Sequence, residues 1–223
     1  MSTKYLDTWE EIHRTQDWGM WPSEPVVRFV SRKYGKFVDR HAVKILDYGC
    51  GIGSNTRFLA KSGYDTYAFD GAPTAIEKAK KLLADDNLSA HLQVSDALNI
   101  QYSDNFFDCV IDSACIYANT IDTIKKLYSG IYTILKKGGA LFTTGLFTTR
   151  LSGYNTGEEI EKNTFADIKE GNLAGRGIAH FYESKDEIYS ILSEIGFKNI
   201  VIDTMSYTDR GNVVEYYMVS AEK

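Results

Sequence analysis

Apolar residues in this chain fall into short unbroken runs separated by amphipathic stretches, and that rhythm predicts most of the elements. Val43 to Tyr48, Tyr64 to Phe69 and His91 to Val94 read as strands. Phe106 to Asp112 reads as a fourth, nearly all apolar, as parallel strands buried on both faces are. Asn55 to Lys61 and Thr74 to Ala84 carry helical spacing between them, and Thr120 to Leu135 does so until Gly138-Gly139 closes it. Ala140 to Phe147 follows as a fifth strand. Strands alternating with helices of this length mean βαβ units and a parallel sheet.

Both ends depart from that rhythm. Tyr5 to Phe37 reads as one or two helices broken at Trp21-Pro22-Ser23-Glu24-Pro25, with Ser23 placed to cap the second. Thr148 to Ala179 carries Gly153, Gly157, Gly171, Gly175 and Gly177 among scattered charges, and is expected to be an irregular insert. Ser184 to Ile195 is a predicted helix. Phe197 to Met205 and Val213 to Ala221 are predicted strands, joined through a hairpin turn at Asp209-Arg210-Gly211-Asn212. The expected division is a helical lid over residues 1–40 and a main domain over 41–223, with a substrate-side insert at about 148–180.

Composition narrows the function classes. The 223 residues are 43% hydrophobic and 25% charged, an ordinary globular balance. A net charge of −5 argues against a chain that grips phosphate backbones, so no nucleic-acid partner is expected. Cys50, Cys109 and Cys115 form no C-x-x-C pair and no metal-like spacing with the four histidines, which fits a reducing, cytoplasmic compartment. No apolar run is long enough to span a membrane, and the first residues lack the apolar core of a signal peptide.

The chemistry concentrates in Ile45-Leu46-Asp47-Tyr48-Gly49-Cys50-Gly51-Ile52-Gly53-Ser54-Asn55. A strand enters, a glycine turn lets the backbone approach a ligand, and a helix leaves with its first N–H groups free. Asp70 ends the next strand, where a carboxylate can accept from both ribose hydroxyls of a nucleoside cofactor. The dinucleotide fingerprint G-x-G-x-x-G would need glycine at 54, where Ser54 stands. Asp47 at the mouth of the loop suits an amine or sulfonium better than a pyrophosphate. Neither a P-loop nor a G-x-S-x-G elbow occurs.

With Ser95-Asp96-Ala97, Phe107-Asp108-Cys109-Val110-Ile111 and Leu135-Lys136-Lys137-Gly138-Gly139 in the same order and spacing, the chain resembles a class I S-adenosylmethionine-dependent methyltransferase over about Val43 to Phe147. The resemblance implies a Rossmann-like α/β fold, a seven-stranded mostly parallel sheet with an antiparallel last strand, flanked by helices. It implies S-adenosylmethionine as cofactor. Asp47, Gly49, Cys50, Gly51, Gly53 and Asn55 would cradle its methionine end, and Asp70 with Gly71 would hold the ribose. Asp96 and Ala97 would meet the adenine, and Asp112 and Ser113 would line the pocket beside the methyl group.

The acceptor side is read from position. His180 is the expected general base, since an alcohol nucleophile benefits from one. Trp9, Trp18 and Trp21 suggest a roof, with Trp21 closing on the cofactor and His13 near the substrate. Arg28 and Arg176 are expected anchors for a carboxylate or phosphate, and Tyr117 a pocket wall. The fifth strand ends without an acid, so metal-free transfer is expected. The expected acceptor is a small molecule methylated on oxygen. The short insert and Trp-Pro-Ser-Glu resemble methyltransferases of bacterial surface-polysaccharide synthesis, which implies a sugar, a nucleotide-linked precursor or a small phosphorylated group. N-methylation of a small amine and a non-catalytic S-adenosylmethionine-binding regulator are the alternatives. The chain is expected to be a monomer or homodimer.

Overall fold

A computed structural model describes the backbone of residues 3–16 and 19–223, and side chains from residue 7 onward within those ranges. The predicted alternation forms one sheet. Its strands are β1 (Lys44–Tyr48), β2 (Asp65–Asp70), β3 (His91–Val94), β4 (Phe107–Ser113), β5 (Leu135–Phe147), β9 (Lys198–Asp209) and β10 (Asn212–Glu222). They lie in the order β3-β2-β1-β4-β5-β10-β9. The pairings from β3 through β5 are parallel, and β10 runs antiparallel to both neighbours. The seven-stranded sheet with an antiparallel last strand therefore stands as expected.

Alternation along each strand divides the core. On one face Leu46, Tyr48 and Val110 pack against Ile124, Leu127, Tyr128 and Ile131 of α5 (Ile121–Ile134) and Ile188, Ile191 and Leu192 of α6 (Lys185–Ile195). On the other Ile45, Cys109 and Ile111 pack against Val26, Val30 and Tyr34 of α2 (Glu24–Tyr34) and Leu59 of α3 (Ser54–Lys61). That period of two is what a sheet covered on both sides requires. Because α2 supplies core to the sheet, the expected lid is too long at 1–40. Among the described residues of that span, α1 (Thr3–Thr15) and residues 19–23 precede α2.

The ends of α1 and α4 are closed by side chains of each other. Glu10 of α1 accepts from the Thr74 N–H at 3.1 Å and from its hydroxyl, at the start of α4 (Pro73–Asp85). Lys78 answers from α4 by donating to the His13 carbonyl at 2.6 Å, near the end of α1. Acid at one helix N-terminus and base at the other's C-terminus complement both dipoles. Ser23 occupies the start of α2, but its side chain makes no capping bond.

Three local expectations change. β5 begins at Leu135, directly after α5, so Gly138 and Gly139 lie within the strand and do not form a linker before it. The segment after β5 is ordered: β6 (Glu158–Glu161), β7 (Thr164–Ala166) and β8 (Ile178–His180) form a separate antiparallel sheet. Phe165, Ile168, Leu173, Ala179 and Phe181 give that insert its own apolar core with Tyr117 and Val214. Finally, β9 runs four residues past the predicted end at Met205. Arg210 and Gly211 both take positive φ, +49° and +85°, the two-residue turn that matches strand twist.

Candidate active site

β1, β2 and β4 all end at the same edge of the sheet, and the loops that follow them floor a cavity of about 720 Å³. This is within the usual range for small-molecule sites, roughly 300–1,000 Å³. The glycine loop forms its base. Gly49 and Gly51 adopt φ of +67° and +53°, in the left-handed region, and a β-carbon on Gly49 would collide with Cys115 Sγ. A single carboxylate sets the loop's shape: Asp70 accepts from Gly51 N–H at 2.8 Å through one oxygen and from Ala72 N–H at 2.9 Å through the other. Burial pushes the Asp70 pKa up, against those two N–H groups and the nearby His13. Burial likewise pushes His13 down, opposed by the Asp70 charge, which leaves a neutral imidazole at pH 7.

The N-terminal segment roofs this base. Trp9, His13 and Trp21 line the cavity, Trp21 with 78% of its surface exposed. The Ser23 N–H donates to Asn55 Oδ1 at 2.9 Å and the Ser54 hydroxyl to the Gly19 carbonyl at 2.8 Å, so the roof is tied to the first turn of α3. Trp18 lies outside the described residues. Cys50, Gly71, Ala97 and Ser113 also line the cavity.

Four residues expected on the cofactor are not part of the cavity lining. Asp47 is 1% exposed and takes the Thr56 hydroxyl at 2.6 Å. Burial raises it to about 7, held back by that bond and pushed further by Asp70 and Asp112. Asp112 is wholly buried on the opposite face, accepting from Thr143 Oγ1 and from Cys115 N–H at 2.9 Å, and burial raises it to about 6. Asp112 thus shapes the turn that presents Ser113 and does not itself line the pocket. Gly53 is a packing glycine, its missing β-carbon leaving room for Ala79. Asp96 turns its carboxylate to Leu98 N–H at 3.1 Å while Ala97 faces the cavity.

Two acceptor-side expectations are corrected. His180 is 2% exposed and outside the cavity lining. Its Nδ1 meets the Thr164 hydroxyl at 2.7 Å and its Nε2 the Glu187 carboxylate at 3.3 Å, so it fastens the insert to α6 and has no path to a substrate proton. Arg28 lies on the far face of the sheet, in a second cavity with Phe142 and Met218, 3.5 Å from Glu24. Tyr117 and Arg176 do line the main cavity. Burial raises the Tyr117 hydroxyl, with Arg176 pulling it part of the way back.

Sequence reasoning missed the far wall. Phe147, Asn172, Leu173, Val214 and Tyr216 enclose it, and Tyr207, Asp209 and Arg210 overhang it from the hairpin tip. The hairpin was legible, but its length was not, and length alone carries the tip over the cavity. Among the described residues no three His, Cys, Asp or Glu side chains gather as a metal would require. Nor is any helix there long and apolar enough to cross a membrane.

Comparison with known proteins bears on this geometry. A family model described as a methyltransferase domain matches residues 45–139, the span from β1 through the early part of β5. Phosphoethanolamine N-methyltransferase 2 of Caenorhabditis elegans is 29% identical over 180 residues, 79% of this chain and 37% of that protein. The chain thus spans little more than a third of that relative's length. A S-adenosylmethionine-dependent methyltransferase structure from Methanosarcina mazei superposes with TM-score 0.68 at 23% identity, covering 81% of this chain and 92% of that one. The Burkholderia thailandensis 1,6-didemethyltoxoflavin N1-methyltransferase, solved with its substrate and S-adenosylhomocysteine, superposes at 0.69 with 14% identity, over 99% and 86%.

Proposed function

We propose that the chain is a class I S-adenosylmethionine-dependent methyltransferase that transfers a methyl group from this cofactor to a small-molecule acceptor, a reading supported by the methyltransferase-domain match over residues 45–139 and by the shared fold. The observation that carries the reading is the Asp70-braced glycine loop at the base of a roofed cavity. The residues present suit the cofactor. Gly49 and Gly51 bare the backbone, and each Asp70 oxygen keeps a second lone pair for a ribose hydroxyl. Ala97 offers an apolar surface for a base, and the buried Asp47 behind the loop supplies negative potential toward a cation.

S-adenosylmethionine held there would supply an electrophilic methyl carbon on positive sulfur, so that an acceptor lone pair could bond to the carbon while the sulfide leaves with the electron pair of the carbon–sulfur bond. The protein's part is alignment and exclusion of water. Trp9 and His13 of α1, together with Trp21, close the cofactor side, and this short segment acts as the lid. Tyr117, Phe147 and Tyr216 wall the acceptor side.

The sugar-oxygen reading assigned the base to His180, which is sealed away from the cavity, and the neutral His13 on the cavity surface stands over Gly51 of the glycine loop, on the cofactor side. Tyr117 stays protonated, since burial raises it. The geometry therefore favours an acceptor whose lone pair is available at neutral pH without strong deprotonation: an amine or an acidic hydroxyl. Calorimetric titration with S-adenosylmethionine, S-adenosylhomocysteine and NAD tests the cofactor assignment. Micromolar binding of the first two and none of NAD is expected, and binding of NAD alone would overturn it.

A further inference from the structure

The order of the strands separates the two sides of the cavity. The Asp70-braced loop lies at the ends of β1 and β2, and the sheet continues on the other side of β1 through β4, β5 and β10. Three aromatic rings line the cavity on that second side. Tyr117 comes from the loop after β4, Phe147 ends β5, and Tyr216 lies directly across from Phe147 in the β5–β10 pairing. Tyr117 and Phe147 meet edge to face, with centroids 4.8 Å apart and planes at 88°. Phe147 and Tyr216 do the same at 6.1 Å and 81°. Each ring thus stands perpendicular to the next, an arrangement that the charge distribution of aromatic rings favours.

The rings are fixed in place and present surface to the cavity. One apolar cluster containing Leu173 and Val214 backs all three, and Trp9 of α1 packs on the same cluster from the lid. Tyr117 is buried, whereas Phe147, Tyr216 and Trp9 are half-buried, and each of them lines the cavity. Aromatic surface on a rigid concave wall is apolar area that a ligand removes from water. Charge gives no comparable guide, since Asp70 and Asp209 stand against Arg176 and Arg210 among the described lining residues. A flat ring entering beside Phe147 continues the perpendicular array, stacking on one ring and meeting another by its edge. A saturated ring buries area there without that pairing, and a sugar brings hydroxyls that lose water against the rings.

We propose that the acceptor is an aromatic compound whose ring lies against Phe147 and Tyr216 and whose methylated atom is a hydroxyl oxygen or a nitrogen on that ring. This rests on reading the cavity as a methyl-transfer site, and the experiment separates the two. The protein saturated with S-adenosylhomocysteine is titrated calorimetrically with 2-naphthol, with its saturated counterpart decahydro-2-naphthol, and with glucose. Pairing with two wall rings is expected to make 2-naphthol bind about tenfold more tightly than the saturated alcohol, and glucose should not bind. Phe147→Leu and Tyr216→Leu keep the wall apolar and remove one ring each. Each should lower the preference to about threefold, and the double variant should abolish it. Phe29→Leu removes a ring stacked on Phe142 in the other cavity and should leave the preference intact. Retained S-adenosylhomocysteine binding shows that each variant is folded, and the wild-type comparison decides by itself if one is not. Equal binding of the two alcohols, no binding of 2-naphthol, tighter binding of glucose, or a preference that survives the double variant would overturn the acceptor assignment alone. Failure of the wild-type protein to bind S-adenosylhomocysteine would overturn the cofactor reading first.

Discussion

Replacing Asp47 with asparagine tests whether the fold holds a carboxylate where ionising it is costly. Asp47 is 1% exposed, and its pKa stands at about 7 against 3.8 in the unfolded chain. At about 1.4 kcal/mol per unit, that shift is worth about 4 kcal/mol, good to a unit either way. The group's folded pKa is raised, so the folded state holds its proton more firmly than the unfolded state does. Its stabilising contribution is complete below pH 4 and is lost as pH rises toward and through 7. Asparagine keeps the shape and has no proton to lose. Asp47→Asn should therefore track wild type at pH 4 up to a constant offset from the altered Thr56 hydrogen bond, then gain on it by roughly 2–4 kcal/mol by pH 8. Urea unfolding at pH 4, 5.5, 7 and 8.5 reads the difference directly, and comparison across pH cancels the offset. A difference that stayed flat within about 0.5 kcal/mol would refute the reasoning. The same charge should serve a cationic ligand: S-adenosylmethionine binding to wild type should tighten as pH rises through 7, and the variant should lose that dependence.

Other substitutions separate cofactor, loop and scaffold. Asp70→Ala removes the acceptor for Gly51 and Ala72, two bonds worth roughly 1.5–3 kcal/mol each. Calorimetry should show no S-adenosylhomocysteine binding while circular dichroism keeps the α/β signature. Gly49→Ala adds a collision with Cys115 to a positive φ, whereas Gly138→Ala meets only the positive φ. Thermal melts should show the first losing several-fold more stability than the second, which should lose about 1 kcal/mol. His180→Ala should destabilise by about 2 kcal/mol by removing the buried bonds that tie Thr164 of the insert to Glu187 of α6. Under folding conditions it should bind S-adenosylhomocysteine as wild type does, and the pH profile of any methyl transfer found should be unshifted. A profile that lost a limb would restore His180 as a base.

The sequence determined the sheet and the cofactor side of the site, because both are written in local spacing. Buried parallel strands need continuous apolar runs, so β1, β4 and β5 announce themselves. Gly49 and Gly51 take conformations that other residues adopt only under strain, and Asp70 follows at the end of the next strand, so the loop and its brace are one local pattern. The hairpin turn at Arg210-Gly211 was likewise visible as chemistry that favours positive φ. Tertiary structure decided what depends on which way a side chain points. His180 and Asp112 are the right residue types near strand ends, and Arg28 is the right type on a helix beside the sheet. Side-chain direction alternates with each strand residue and turns with each helical one, so a position near the edge can face core, cavity or the far side of the sheet. The insert lacks a repeating period, since each of its strands is three or four residues long, too short to print one. The wall made by Arg176, Arg210, Phe147 and Tyr216 is assembled from three segments distant in sequence. Their meeting is set by the packing of Leu173 on Val214 and by the length of a hairpin, and no local spacing encodes either.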